Sequence, residues 1–509
     1  MQARGVFSVV VLGLVVGGSG CSRYQSPPPS SGPVRLAIGA ALPVGGSSSG
    51  LPALRDSLFI SEPLVSVGLD GRPTARIATN WTWLNGSKTL RVTLRPNVFF
   101  HDGQQLSAEL AAKILSPRPQ GFGLSYPSIT SIVPSGPDQI DFNLSRPEAF
   151  LLSDLMDASV QMPDPSDKSR VIGTGAYMLS GQRPNPVLRA FDRYYQGRPA
   201  IDEIAIKPYQ SQRQAWAAMM RGEIDALHEV SREAADFVEA ETTVKAFSFT
   251  REFYIPLVFN VRHKVLQRRD VRVALNEAID KEVVVREGMR GRGEVANSPI
   301  WPKHWAHSAA QQLFAYNPDA ARIRLDAAGL PLPKSSSSPA EMPSRFSFTC
   351  LMYGEDPRFE RIALVVQKQL FEIGVDMKLE PVSMAELGGR AAKGDFDAFL
   401  FEMNSARSLS WVYLFWHSPP EGPFVKTGYA SADAVLDRLR HSQSDEETRL
   451  GTADLEGVFY EDPPAIFLAW EQATRAVSTK FAVPDEPGRD VIGLVRLWRP
   501  AARDLRASR

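Results

Sequence analysis

Two cysteines among 509 residues, and no surplus of either charge, set the first limits. Cys21 falls in the amino-terminal leader. Cys350 is then left without an intramolecular partner, so no disulfide is expected to staple the body of the chain. Lys plus Arg and Asp plus Glu are both 57, a net charge of zero. Without a basic surplus, nucleic acid is not an expected partner. Beyond the leader no run approaches the ~20 apolar residues of a membrane span. The seven histidines are scattered, with no cluster at metal-ligand spacing, so neither a metal nor a cofactor is expected. What remains is ordinary globular material. Apolar residues make up 43% and charged residues 22%, and the length allows two or three domains with large cores.

The leader itself is informative. One basic residue, Arg4, precedes an apolar run from Val6 to Val16, and the small residues Gly17, Gly18, Ser19 and Gly20 lead to Cys21. That order is a secretory signal over residues 1–20. A Cys after Ser19-Gly20 resembles a bacterial lipobox, which implies a diacylated Cys21 at the mature amino terminus. Residues 21–33 are rich in Ser and Pro, a composition that buries no core and serves as an extended tether. The body is therefore expected in the cell envelope, periplasmic or on the outer face of a membrane, held by a lipid anchor.

From Val34 onward, strand and helix signals mix. Val34–Ile38 alternates as a strand. Asn85-Gly86 between Trp81–Trp83 and Thr89–Leu94 is a hairpin signal. Ser107 can cap a helix over Ala108–Leu115. Val271–Met289 carries apolar residues at helical spacing. Phe346–Met352, Glu360–Phe371 and Val375–Pro381 form a strand–helix–strand unit, which favours a right-handed parallel crossover. Cys350, in the alternating stretch Phe346–Met352, reads as a buried strand residue.

Motifs for covalent chemistry are weak. Gly46-Ser47-Ser48-Ser49-Gly50 has the spacing of a nucleophile elbow, but it lies in a Gly/Ser loop rather than between a strand and a helix. His304 and His307 lack a third ligand and the Glu of a zinc-protease helix, so they read as a solvated loop. His101-Asp102-Gly103 reads as a turn. Gly173-Thr174-Gly175 has no helix start behind it and is a poor phosphate loop.

Seven blocks in a fixed order carry a broader resemblance. They are Leu58–Val67 with Gly71-Arg72-Pro73, then Trp81–Leu94 with Phe99–Gly103, then Gly173–Tyr177. Tyr194–Pro199 with Ile201-Asp202, Gly222–Asp225, Asn260, and Asp270–Asp280 follow. Together, from about Val34 to Leu497, the chain resembles the extracytoplasmic solute-binding proteins of ABC importers, in the oligopeptide/dipeptide/nickel-binding family (family 5). The resemblance implies an α/β fold: a two-lobed periplasmic-binding-protein clamp of the large type. In it, lobe I comprises 34–76, 165–255 and 485–509, an extra subdomain of lobe I covers 77–164, and lobe II covers 256–484. Hinge segments are expected near Phe253–Asn260 and Val483.

The implied function is capture of a small solute, peptide-like or otherwise polar and organic, and its delivery to permease subunits in the membrane. The chain is expected to be a monomer and not an enzyme. A ligand-sensing partner of a membrane signalling receptor, and less so a secreted hydrolase, are the alternatives. In the family, the loop matching Asn404–Trp416 faces the cleft. That implies Asn404, Ser405, Arg407, Trp411, Tyr413 and Trp416 as ligand-binding residues. Peptide-binding members place an Asp in this loop for the terminal ammonium. Here Arg407, Ser408, Leu409 and Ser410 stand instead, so Arg407 is expected to favour an anionic or neutral polar group.

Overall fold

The computed structural model describes residues 32–41, 59–116, 123–167, 170–180, 187–230, 237–238, 240–308, 312–334, 343–418, 425–484 and 486–502. The leader, Cys21, most of the tether and the Gly/Ser loop at 45–50 lie outside them.

One mixed sheet of 12 strands runs through both lobes. In lobe I, Arg35–Ala41 pairs in parallel with Glu203–Tyr209 and with Ala226–Leu227. In lobe II, Phe346–Tyr353 lies parallel to Val375–Val382 and to Ala398–Leu400. Helix Pro357–Glu372 makes the crossover between the first two, as the sequence pattern implied. Two long antiparallel strands, Val244–Phe259 and Ala465–Ser478, join the halves. Their register runs from Val244↔Ser478 to Val258↔Ala465, with breaks between Thr250 and Tyr254 and between Ile255 and Pro256. A register break bends a strand and raises its twist. The first expected hinge segment overlaps this bend. The return crossing is the Ala465–Ser478 strand itself, whose residues Ala476 and Val477 already pair with lobe I. The second expected hinge, near Val483, lies beyond the end of this strand. The strand's first half, Ala465–Trp470, is apolar, and its second half mixes Glu471, Gln472, Thr474 and Arg475 with alanine and valine.

The segment expected as a subdomain carries a separate four-stranded antiparallel sheet ordered Ala78–Leu84, Thr89–Leu94, Gln139–Leu144, Ile129–Gly136. The Asn85-Gly86 hairpin forms, with Asn85, Gly86 and Ser87 all in the left-handed region. Helix Ala108–Leu115, capped by the Ser107 hydroxyl, buries Ala108, Ala111 and Leu115 against Leu90, Val92 and Phe142.

Gly173 and Gly175 have a packing role. A Cβ on Gly173 would meet the Ile60 carbonyl oxygen at 2.0 Å, and one on Gly175 would meet that of Phe59 at 2.4 Å. His101 Nε2 lies 3.0 Å from the Gly175 carbonyl oxygen, which ties this turn to the His-Asp-Gly turn. The helix expected over Val271–Met289 is interrupted. Arg269–Glu277 ends before Asp280, whose side chain accepts from the Val283 amide and starts a second helical turn. A capping Asp ends one helix and begins another without disturbing the apolar period.

Candidate functional site

The loop singled out in the sequence begins where Met403–Asn404 pairs with Phe253–Tyr254 of the first crossing strand. Asn404 Oδ1 accepts from the Ala406 amide at 2.8 Å, and Ser405 Oγ from the Arg407 amide at 3.2 Å. These short bonds hold Ala406 and Arg407 in the left-handed region, a conformation L-residues adopt at a small energetic cost. Ser408 then caps helix Leu409–Trp416.

The side chains sort differently from the expectation. Arg407 is held by Glu252 at 2.7 Å and lies over the Trp301 ring. Tyr413 is fully buried. Its hydroxyl donates to Asp437 at 2.9 Å and its ring stacks on His417. Trp416 donates from Nε1 to the Tyr254 hydroxyl at 3.0 Å and packs on Phe459 and Phe467. Trp411 is half-buried beside Phe415. Asn404 and Ser405 thus shape the loop, while Tyr413 and Trp416 build the lobe II core beneath it.

The large cavity lies along the crossing strands, and Glu402 but none of residues 404–416 is among its lining residues. It encloses about 680 Å³. Lobe I contributes Gln210–Gln212 and His228–Val230, lobe II contributes Met289, Arg290, Arg292, Tyr353 and Glu355–Arg358, and the crossing strands contribute Arg251, Ile255 and Glu471–Ala473. Such a volume suits a small organic molecule.

A compact charge network forms one wall. Glu471 is almost fully buried on the return strand. Arg358 Nη1 donates to its Oε1 at 2.7 Å, and Arg251 Nη1 to its Oε2 at 2.6 Å. Glu402 stands 3.5 Å from Arg358 and 3.9 Å from Arg251. Asp356 caps helix Pro357–Glu372 and accepts from Arg358 Nε at 2.7 Å. Burial and the neighbouring Glu402 push the Glu471 carboxyl up to about 7. Burial pushes His228 down to about 4, so its imidazole is neutral near pH 7. The cavity therefore offers fixed donors and acceptors from both lobes.

Sequence reasoning passed over Arg251, Arg358 and Glu471, and singled out Glu402 only as the first carboxylate to examine should a peptide ammonium be bound. A signal was present: Glu471 directly follows the apolar run Ala465–Trp470, and Glu402 interrupts Phe396–Met403. A charge set into a buried strand needs a partner.

His304 and His307 are not a solvated loop. His304 is buried, its Nδ1 accepts from the Ala306 amide at 3.2 Å, and burial pushes it down to about 4. His307 Nδ1 lies 2.5 Å from the buried Glu456 carboxylate. Among the described residues no group of three or more His, Cys, Asp or Glu is placed to hold a metal ion. Cys350 is a buried strand residue, and burial pushes its thiol upward.

Known proteins agree with this architecture. A family model described as bacterial extracellular solute-binding proteins, family 5 Middle, matches residues 72–422. The oligopeptide-binding protein AppA of Bacillus subtilis (strain 168) is 24% identical over 447 residues, covering 82% of this chain and 81% of that protein. Among solved structures, NikA from Brucella suis in complex with Fe(III)-EDTA superposes with a TM-score of 0.79 at 18% identity, covering 92% of this chain and 100% of that one. NikZ from Campylobacter jejuni in complex with Ni(L-His) gives 0.74 at 20% identity, covering 91% and 99%. The fold is thus the two-lobed clamp of periplasmic binding proteins. With the family model spanning more than half of its length, the chain belongs to the bacterial extracellular solute-binding proteins of family 5.

Proposed function

We propose that this protein captures a polar organic solute between its lobes, outside the cytoplasm, and delivers it to the permease of an ABC importer. The observation that carries the reading is the cavity of about 680 Å³ lined by both lobes and by both crossing strands. A bend at the strand breaks changes the distance between its walls, so a ligand touching both walls favours the closed form. The ligand-facing set on this reading is Arg251, Arg358, Glu402 and Glu471, with the Asn404–Trp416 loop as their support. No covalent step is part of the cycle. Cys21 serves as the lipidated amino terminus, with 22–33 as its spacer, and the receptor works as a monomer.

Ligands differ within the family. AppA was solved with a nonapeptide and NikZ with Ni(L-His). The mixed charges of this cavity support a solute with polar or charged groups at more than one point. Native mass spectrometry of the protein purified from its own cells tests this. A bound organic solute that leaves on denaturation is expected, and deleting the gene should abolish uptake of that solute. Uptake unchanged in the deletion strain contradicts the transport role.

A further inference from the structure

Lobe II meets the rest of the molecule a second time, away from the cavity just described. Glu148 of the subdomain faces Arg440, the last residue of lobe II helix Asp433–Arg440. Arg440 Nε lies 3.0 Å from both carboxylate oxygens of Glu148, and the two side chains are 1% and 0% exposed. Ser128 Oγ donates to Glu148 at 2.9 Å, and Arg440 Nη1 donates to the Tyr413 hydroxyl at 3.3 Å. Backbone bonds flank the pair. The Ala149 amide donates to the Arg440 carbonyl at 2.8 Å, and His441 Nδ1 lies 2.8 Å from the Pro147 carbonyl oxygen. Further along, Ser408 Oγ donates to Ser153 Oγ at 3.0 Å, and the Ser410 hydroxyl bonds the buried Asp154. These last contacts grip the first turn of helix Leu409–Trp416, which continues the loop that follows Glu402.

We propose that Glu148 and Arg440 form a latch, made when the lobes close and broken when they open. The inference rests on the two-lobed clamp reading. Its physical ground is the choice of residues. A permanent seam gains nothing from a buried ion pair, since well-packed apolar residues of similar volume hold it as well or better. A seam that opens into water has the opposite need. Opening exposes Phe150, which packs on Tyr413 across the seam, at a hydrophobic cost, whereas a separated Glu and Arg are hydrated at once. The pair therefore offsets its own desolvation when closed and releases readily when open, while excluding mispaired closures. A cavity of about 310 Å³ borders Glu148, Phe150, Ser153, Ser408 and Leu439, so the seam beside the sealed pair is not close-packed. The contacts at Ser408 and Ser410 tie the latch to the loop that follows Glu402.

Distance measurements by double electron–electron resonance test the latch. Lys113 in the subdomain and Lys393 in lobe II are exposed, and each is replaced by Cys and spin-labelled in a Cys21→Ser background. Cys350 is buried and does not compete for label. The expected result is a short and a long distance in the wild-type sequence, with the long:short ratio raised at least tenfold by Glu148→Gln or by Arg440→Met. The apolar pair Glu148→Leu with Arg440→Met should fold and shift the ratio back toward the short distance, which separates latch loss from misfolding. One unchanged distance in all four proteins overturns the proposal, as does a lower melting temperature with no long-distance population. A second label pair, Arg213→Cys with Lys393→Cys, spans the ligand cavity. If only that distance responds to a small-molecule extract of the host, the clamp reading stands and the latch falls. If neither distance responds, both fall.

Discussion

Two of the contacts that lobe II makes with the rest of the chain are built on opposite terms. At the crossing strands, charged groups border a cavity of about 680 Å³, with Arg251 31%, Arg358 40% and Glu402 20% exposed. At the subdomain seam, Glu148 and Arg440 are sealed, and each has further polar partners. The first arrangement leaves room for a solute and keeps polar groups in reach of it. The second completes itself with protein atoms. Charge alone thus does not mark a ligand site. Accessible charge does, since Glu148 also borders a cavity of about 310 Å³ yet is fully sealed.

The largest expected effect breaks the sealed side. Arg440→Met leaves Glu148 without its cation in the closed form, which should lose about 3–5 kcal/mol relative to the open form, read from the distance populations; the cavity side is read in urea titrations. The matching change on the cavity side, Arg251→Met, should lose only about 1.5–3 kcal/mol, because Glu471 keeps Arg358 and one charged hydrogen bond is removed. Equal losses would erase the distinction between the two contacts.

Proton linkage sharpens the comparison further. The Glu471 carboxyl titrates near 7 in the folded chain and in the ordinary carboxylate range, near 4.5, when unfolded. Between these values the folded state holds a proton that the unfolded state has released. Stability from this group is therefore present below about pH 4.5 and declines as pH rises to about 7. Glu402→Gln removes the like charge beside it and should flatten that decline, by on the order of 1 kcal/mol. Urea midpoints at pH 5 and pH 7.5 read the change. A slope identical in the variant would mean that Glu402 does not act on Glu471. An effect as small belongs to the rim. Arg72 pairs with Asp445 at 2.8 Å, with the two side chains about half exposed, and lies over the Trp305 ring, so Arg72→Ala should cost about 1 kcal/mol.

Much of the architecture was legible because local patterns agree with it. The Asn85-Gly86 turn, the Ser107 cap and the Phe346–Val382 crossover each follow from residues within a few positions of one another. The family blocks placed these in two lobes. The cavity network was harder to see, since Arg251, Arg358, Glu402 and Glu471 are brought together by tertiary pairing across 220 positions of chain. Arg407 illustrates the same limit. Its charge was visible, but Glu252, which holds it, reaches it only because Met403–Asn404 pairs with the first crossing strand. The aromatic density of Trp411–Trp416 was equally plain, yet Tyr413 and Trp416 face inward because that helix closes the lobe II core.

The central claim is that a solute sits between the lobes at the crossing strands. A crystal structure of the protein purified without denaturation from its own cells tests it most directly. The account predicts ordered density for a solute in the cavity of about 680 Å³, touching lobe I residues near Gln210–Gln212 or His228 and lobe II residues Arg358 or Glu402 together. Density confined to one lobe, or lodged instead in the seam beside Glu148, would contradict it.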